Sequence, residues 1–331
     1  MNGLKSLLNA SPGWPMGLGR IMLGLIWLAS LRWKLPPDFE PTGEVEGLRG
    51  WLEQEVQNPG FAFYGELIDS VVLPNFTLFA WLIFLAELII GLLLVTGIAI
   101  RPAAFGGFLL SLNLWVGLRE IEWEWTYVLM MAWHLGVLFS PASASLSLGS
   151  LRNGSDTAPS DTVPVATGSY GKGSLGEAIL RSGLGLVTLV TWLDNINKDF
   201  YDGENFVEFF DWVARPAEEG GNGASLSFVH SLVDSTILQA PELFGWFMTF
   251  LELAIAIGLL FGIFTRAASF AATGFFGSLF LVYFGGEEWI GIYVLLAAAA
   301  GVTFLRWGGR KFGVDEALAA KQGESPLTLV W

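Results

Sequence analysis

The chain has no cysteine and only two histidines, His134 and His230. Absence of cysteine rules out disulfides, thiol nucleophiles, iron–sulfur ligation and covalently attached haem. Two histidines cannot form a His-rich metal cluster. A bis-histidine haem is not expected either, because His230 lies in a polar stretch outside the apolar runs. Charge is scarce as well: Asp, Glu, Lys and Arg make up 15% of the 331 residues, against about 25% in soluble domains. The rest is apolar, with 53% hydrophobic residues, 26 Phe, 15 Trp and a mean hydropathy of +0.55. Several apolar runs approach the roughly 20 residues needed to cross a bilayer. The composition predicts an integral membrane protein whose partners are lipids and other protein subunits rather than nucleic acid.

An internal repeat organises the chain. Arg20, Gly24, Leu25, Leu28 and Phe39 recur at constant offset as Arg181, Gly185, Leu186, Leu189 and Phe200, and Trp51 recurs as Trp212. Trp81, Glu87, Leu88, Gly97 and Arg101 recur as Trp246, Glu252, Leu253, Gly262 and Arg266. Glu122, Trp123 and Tyr127 recur as Glu288, Trp289 and Tyr293. Each copy holds four apolar runs, near 15–33, 76–99, 102–118 and 123–141, then near 176–194, 242–264, 267–284 and 288–307. The expected fold is all-α, with eight transmembrane helices in two four-helix bundles. Four crossings per copy is an even number, so the copies enter the membrane in the same direction, as a parallel repeat. The divisions are 1–149 for the first unit, 150–174 for a Ser/Thr/Gly/Pro-rich flexible linker, 175–312 for the second unit and 313–331 for a cytoplasmic tail. The first run resembles a signal peptide in composition, but its internal copy argues against cleavage.

Lys and Arg are asymmetrically placed. Only Arg32, Lys34, Arg49, Arg119, Lys198 and Arg215 fall on the side opposite the termini, linker and tight turns. The positive-inside rule then places the termini in the cytoplasm of a plasma-membrane protein. Nearly all the acid of this −14 chain falls outside, as solvated loops or as a docking face for a basic partner. Trp123, Trp125 and Trp289 follow acidic patches and read as interface anchors. The segments between the first and second helix of each copy are partly amphipathic. In the second, Phe206, Phe209, Phe210 and Val213 repeat at helical spacing, predicting a helix that lies on the bilayer or caps the bundle mouth.

Glu87 and Glu252 stand inside apolar runs, where a carboxylate costs about 2.5 kcal/mol or more and normally faces a partner or a cavity. Glu87 is about eleven residues into its helix, roughly 16 Å from the end. His134 lies at the same depth on the fourth helix, so the two meet if the second and fourth helices touch. The first copy alone has this pair, because His134 corresponds to Ala300 and Trp133 to Ala299. Either each glutamate is a polar latch between helices, or Glu87 and His134 bind a polar head group or pass a proton. Arg101, about 21 Å along the helix from Glu87, is expected at the boundary, snorkelling.

The combined pattern is GR-x-x-LG at Gly19, Arg20, Leu23 and Gly24, then Lys34 and Phe39, then Glu87, Leu88, Gly97 and Arg101. The second copy keeps Arg181, Lys198, Phe200, Glu252, Leu253, Gly262 and Arg266. In this pattern the chain resembles the DoxX/DoxD-like membrane proteins, which include the small-subunit family of thiosulfate:quinone oxidoreductase. The resemblance implies four-helix bundles that partner soluble redox or sulfur-metabolism proteins and, in one branch, reduce quinone. The expected function is a membrane subunit of a quinone-linked respiratory or sulfur-oxidising complex, with no metal, haem or iron–sulfur cluster. Glu87 and His134 are its head-group or proton site, Arg20 and Arg101 support it, and Trp81 and Trp133 wall it. Arg181, Trp246, Glu252 and Arg266 are the second-copy equivalents. The rival expectation is a non-catalytic membrane anchor or assembly subunit.

Overall fold

A computed structural model describes residues 12–39, 47–120, 124–149, 173–216, 219–286 and 291–322. Trp123, Trp289 and nearly all of the predicted linker lie outside these residues. Among the described residues the chain is helical, with no strand, and it divides into compact units at Gly171/Lys172.

In the first unit, α1 (Trp14–Ser30) runs into a 3-10 turn, Leu31–Trp33. The short helices α2 (Leu48–Gln57) and α3 (Ala62–Leu67) follow, and a π turn, Ile68–Val72, leads towards α4 (Phe76–Thr96). Then come α5 (Ile100–Leu118) and α6 (Glu124–Phe139). Helix α1 packs on α4, α4 on α5, α5 on α6 and α6 on α1. The second and fourth long helices are therefore diagonal, with α1 and α5 between them. The condition on which Glu87 would meet His134 is therefore not satisfied, because α1 and α5 stand between the second and fourth long helices.

The second unit repeats this order. Its long helices are α7 (Leu175–Asn197), α10 (Pro241–Phe261), α11 (Thr265–Val282) and α12 (Gly291–Leu305), with α8 (Gly203–Ala214) and α9 (Ser227–Thr236) after the first. The same ring of contacts joins α7, α10, α11 and α12. Helix α8 is the predicted amphipathic helix: Phe206 and Val213 are buried, and Asp202 caps it by accepting from the Glu204 backbone N–H at 3.0 Å.

Within the predicted tail, the described residues form a helix. Helix α13 (Val314–Gln322) docks on the second unit through Asp315, whose carboxylate accepts from the Phe264 and Thr265 backbone N–H groups at 2.9 and 2.8 Å. These are orphan donors at the start of α11. Burial pushes the Asp315 carboxyl up, against the lowering effect of these bonds.

Four segments are long and apolar enough to cross a membrane: Trp14–Trp33, Ala62–Thr96, Pro241–Phe261 and Thr265–Val282. Trp125–Phe139 and Gly291–Leu305 are apolar but shorter. Of the remaining long helices, α5 is diluted by Arg101, Ser111 and Asn113, and α7 carries Glu177, Arg181 and Asp194.

Each unit reverses direction after its second long helix over three residues. Gly97 caps α4 at φ +72°, and Ala99 precedes α5 at φ +48°. Gly262 and Phe264 repeat this at φ +66° and +46°. Left-handed φ at the first position favours glycine.

Candidate functional site

Glu87 is buried in α4 and faces the C-terminal end of α1, not its middle. Its Oε1 meets Lys34 Nζ at 2.6 Å, and its Oε2 accepts from Ser30 Oγ at 2.6 Å. The Lys34 side chain is only 13% exposed, so the pair is largely desolvated. Such a pair needs extra hydrogen bonds to offset its desolvation, and Ser30 supplies one. In the second unit Glu252 accepts from Asn195 Nδ2 at 2.9 Å and Thr191 Oγ1 at 3.4 Å. Asn195 and Thr191 stand at the repeat offset from Lys34 and Ser30. Both glutamates therefore tie the second long helix of their unit to the first, one through a cation and one through neutral partners. Lys198, aligned with Lys34 by type, instead pairs with Asp194 at 2.6 Å on the exposed side.

His134 is fully buried in α6 and does not bond Glu87. Its Nε2 accepts from Trp27 Nε1–H at 2.9 Å, from α1. An Nε2 that accepts places the ring proton on Nδ1. That Nδ1, and the hydroxyl of buried Ser111 on α5, have no hydrogen-bond partner among the described residues. The imidazole occupies the space beside Gly107, where a Cβ would overlap it. The second unit has Thr188, Ala272 and Ala300 at the positions of Trp27, Gly107 and His134. Trp133 is also fully buried and fills the space over Gly19. At the equivalent positions the second unit has Leu180 and Ala299, so bulk has moved from the fourth helix to the first.

Arg20 and Arg181 are buried structural clamps. Arg20 donates to the carbonyls of Leu94 and Val95 in the last turn of α4, and to Ser145 and Leu146 after α6 at 3.2 and 3.1 Å. Arg181 donates to Leu259 and Leu260 in α10 and to Phe312 at 3.0 Å. Guanidinium bonds to the orphan carbonyls of a helix C-terminus also suit the helix dipole. A Cβ on Gly97 would stand 2.7 Å from Arg20 Nη1, and one on Gly262 2.9 Å from Arg181 Nη1. The recurring glycine thus serves both the turn and the clamp.

The other expected residues are dispersed. Arg101 is exposed. Its counterpart Arg266 is buried, with its guanidinium 4.1 Å from the Trp307 ring and 4.4 Å from that of Phe304. Trp81 packs edge-on against Phe39 at 5.3 Å, and Trp246 lies against Tyr201 at 4.7 Å. Both tryptophans are half-exposed and touch the covering segments rather than the glutamates.

No protein-family model, curated protein or solved structure matches this chain. The case for a site therefore rests on the geometry alone.

Sequence reasoning missed the Glu177–Arg306 ion pair at 3.0 Å, whose side chains are both buried. Glu177 also accepts from Ser174 Oγ. The corresponding first-unit residues are Met16 and Ser140, and that contrast was visible in the repeat. Lys34 as counter-ion to Glu87 was missed as well: it lies past the 3-10 turn Leu31–Trp33 that ends α1, so no helix-face spacing pointed to it.

Proposed function

We propose that the chain is a multi-pass plasma-membrane subunit, DoxX/DoxD-like in type, that anchors or assembles a soluble redox or sulfur-metabolism partner. It crosses the membrane eight times as a parallel repeat, with cytoplasmic termini and an acidic outer face. One observation carries this reading: Glu87 and Glu252 bond equivalent positions of the first helix of their units, Ser30/Lys34 and Thr191/Asn195. A carboxylate kept in both units with different donors behaves as a helix latch, and its bonds are already made.

A second reading, a quinone-linked redox subunit, is favoured by His134. Its Nδ1–H and the Ser111 hydroxyl are buried and have no hydrogen-bond partner among the described residues, and each is able to donate to a carbonyl oxygen. The Trp27 ring lies beside the imidazole, with the two ring centres 5.9 Å apart. The fit covers one carbonyl only, since Glu87, the second expected contact, is engaged by Lys34 and Ser30.

The test is lipid and partner analysis of the protein purified from its own membranes, as wild type, E87Q and the double variant G107A/H134A. The double variant installs the Ala/Ala pairing that the second unit packs at Ala272 and Ala300. Anchoring predicts the same co-purifying proteins in all folded variants and no stoichiometric quinone. Stoichiometric quinone in wild type, lost in G107A/H134A, establishes the second reading in its place.

A further inference from the structure

We propose that Glu55 is a proton-operated latch that holds the α2 cover on the first unit. Helix α2 turns Leu48 and Leu52 into the apolar cluster formed with Phe39, Ile68 and Phe76. Glu55 occupies the next position of that stripe, in the i, i+4, i+7 pattern of a buried helix face. A leucine is the residue that pattern calls for. Glu55 is 6% exposed, and its Oε2 has no hydrogen-bond partner among the described residues. Its Oε1 lies 2.8 Å from the point where a Cβ on Gly117 of α5 would stand, and Tyr64 of α3 is 2.9 Å from the same point.

Among the described residues no positive charge answers this carboxylate. From α3 it is faced by Tyr64, whose hydroxyl donates to Asn113 Oδ1 at 3.1 Å and so does not serve Glu55. From α5 it is faced by Gly117, with neutral Asn113 beyond. Glu66 of α3 and Asp69 of the π turn are exposed. Arg119, just past Gly117, meets Glu120 at 3.1 Å and lies over Phe61 and Trp115. On α2 itself, Arg49 and Glu53 pair with each other at 3.8 Å on the outer side.

An ionised Glu55 is thus a buried charge without a counter-ion, and a protonated one fits the pocket. Burial pushes its pKa up to about 7 from 4.5. A carboxyl raised in the closed state contributes stability that is full below its open-state value and is lost as pH rises through the closed-state value. The cover is therefore held most firmly below about pH 4.5 and loosens as pH rises through about 7. The second unit has no such switch on α8, where Phe206 and Val213 are the buried residues.

The test is hydrogen–deuterium exchange of α2 in the full-length protein from pH 5.5 to 8.5, corrected for intrinsic rates, in wild type, E55Q and E55L. In wild type, α2 exchange should rise by up to about tenfold for each pH unit between 5.5 and 7 and level off above 7, while α4 stays unchanged. E55Q should be flat with pH, and E55L flat and better protected, because it completes the stripe. Flat protection in wild type overturns the proposal, as does an unaltered pH profile in E55L if E55Q fails to fold. A companion measurement at pH 8 compares sodium chloride with choline chloride. Protection restored by sodium alone would assign the site to a metal cation and overturn the proton reading, whereas equal protection in both salts supports it.

Discussion

The two units are one four-helix plan solved twice, and their interiors differ where the plan needs polarity or bulk. The first unit neutralises its α4 glutamate with Lys34 and buries a Trp27–His134 pair at its centre. The second gives its glutamate Asn195 and Thr191, leaves its centre to alanines, and places a buried ion pair, Glu177–Arg306, near its helix ends. What survives in both is the Arg20/Arg181 clamp on the end of the second long helix and the glycine turn beside it. Features common to both units hold the bundle together. Features in one unit alone are where specialised chemistry belongs.

That comparison can be broken most severely at the second unit's ion pair. E177Q should lower stability by about 3–5 kcal/mol, because it removes the carboxylate that neutralises the buried Arg306 guanidinium. The double variant E177M/R306S copies the first unit's solution and should recover much of the loss. Thermal unfolding in detergent reads both, and a double variant no better than the single would disprove the equivalence of the two solutions. Next in size is the transfer of bulk between helices. W133A should cost about 3–5 kcal/mol as a cavity. Adding G19L should return stability to within about 1.5 kcal/mol of wild type, as volume-conserving swaps do; if G19L instead deepens the loss, the two interiors are not interchangeable.

Smaller effects sharpen the contrast between the latches. K34N should cost about 1–3 kcal/mol by leaving Glu87 without its charged donor, and E87Q in the same protein should restore part of it. The two Tm shifts, single and double, decide the matter. The smallest expected effect is D315A, at about 1–2 kcal/mol from loss of the cap on α11. It should appear as faster exchange at the Phe264 and Thr265 amides with little change elsewhere.

The repeat, the four long helices of each unit and the amphipathic α8 were legible in the sequence, because helical periodicity and self-similarity are local signals. Burial of Glu87 was legible for the same reason. Its partner was not, because depth along two helices says nothing about which helices are neighbours, and α1 lies between α4 and α6. Lys34 was matched by residue type to Lys198, whereas the offset that links Ser30 to Thr191 leads to Asn195. Glu55 escaped notice because α2 is short and mostly polar, and a single acid within it looks like solvated surface. The exchange of Gly19/Trp133 for Leu180/Ala299 was half visible, since each replacement appears alone and only the packing joins them.

That exchange bears on the integrity of the gene. Two tandem copies of related sequence invite recombination that deletes one and fuses the start of the first to the end of the second. Such a fusion would set Gly19 against Ala299 and leave a void large enough for an indole. The reciprocal product would press Leu180 against Trp133 in the space of a single hydrogen atom. A crossover between the Gly19 and Trp133 positions, or between their repeat counterparts, therefore yields a mismatched interior, destabilised by about 3–5 kcal/mol in the hybrid that carries the void, and the divergence of the two interiors disfavours loss of one copy.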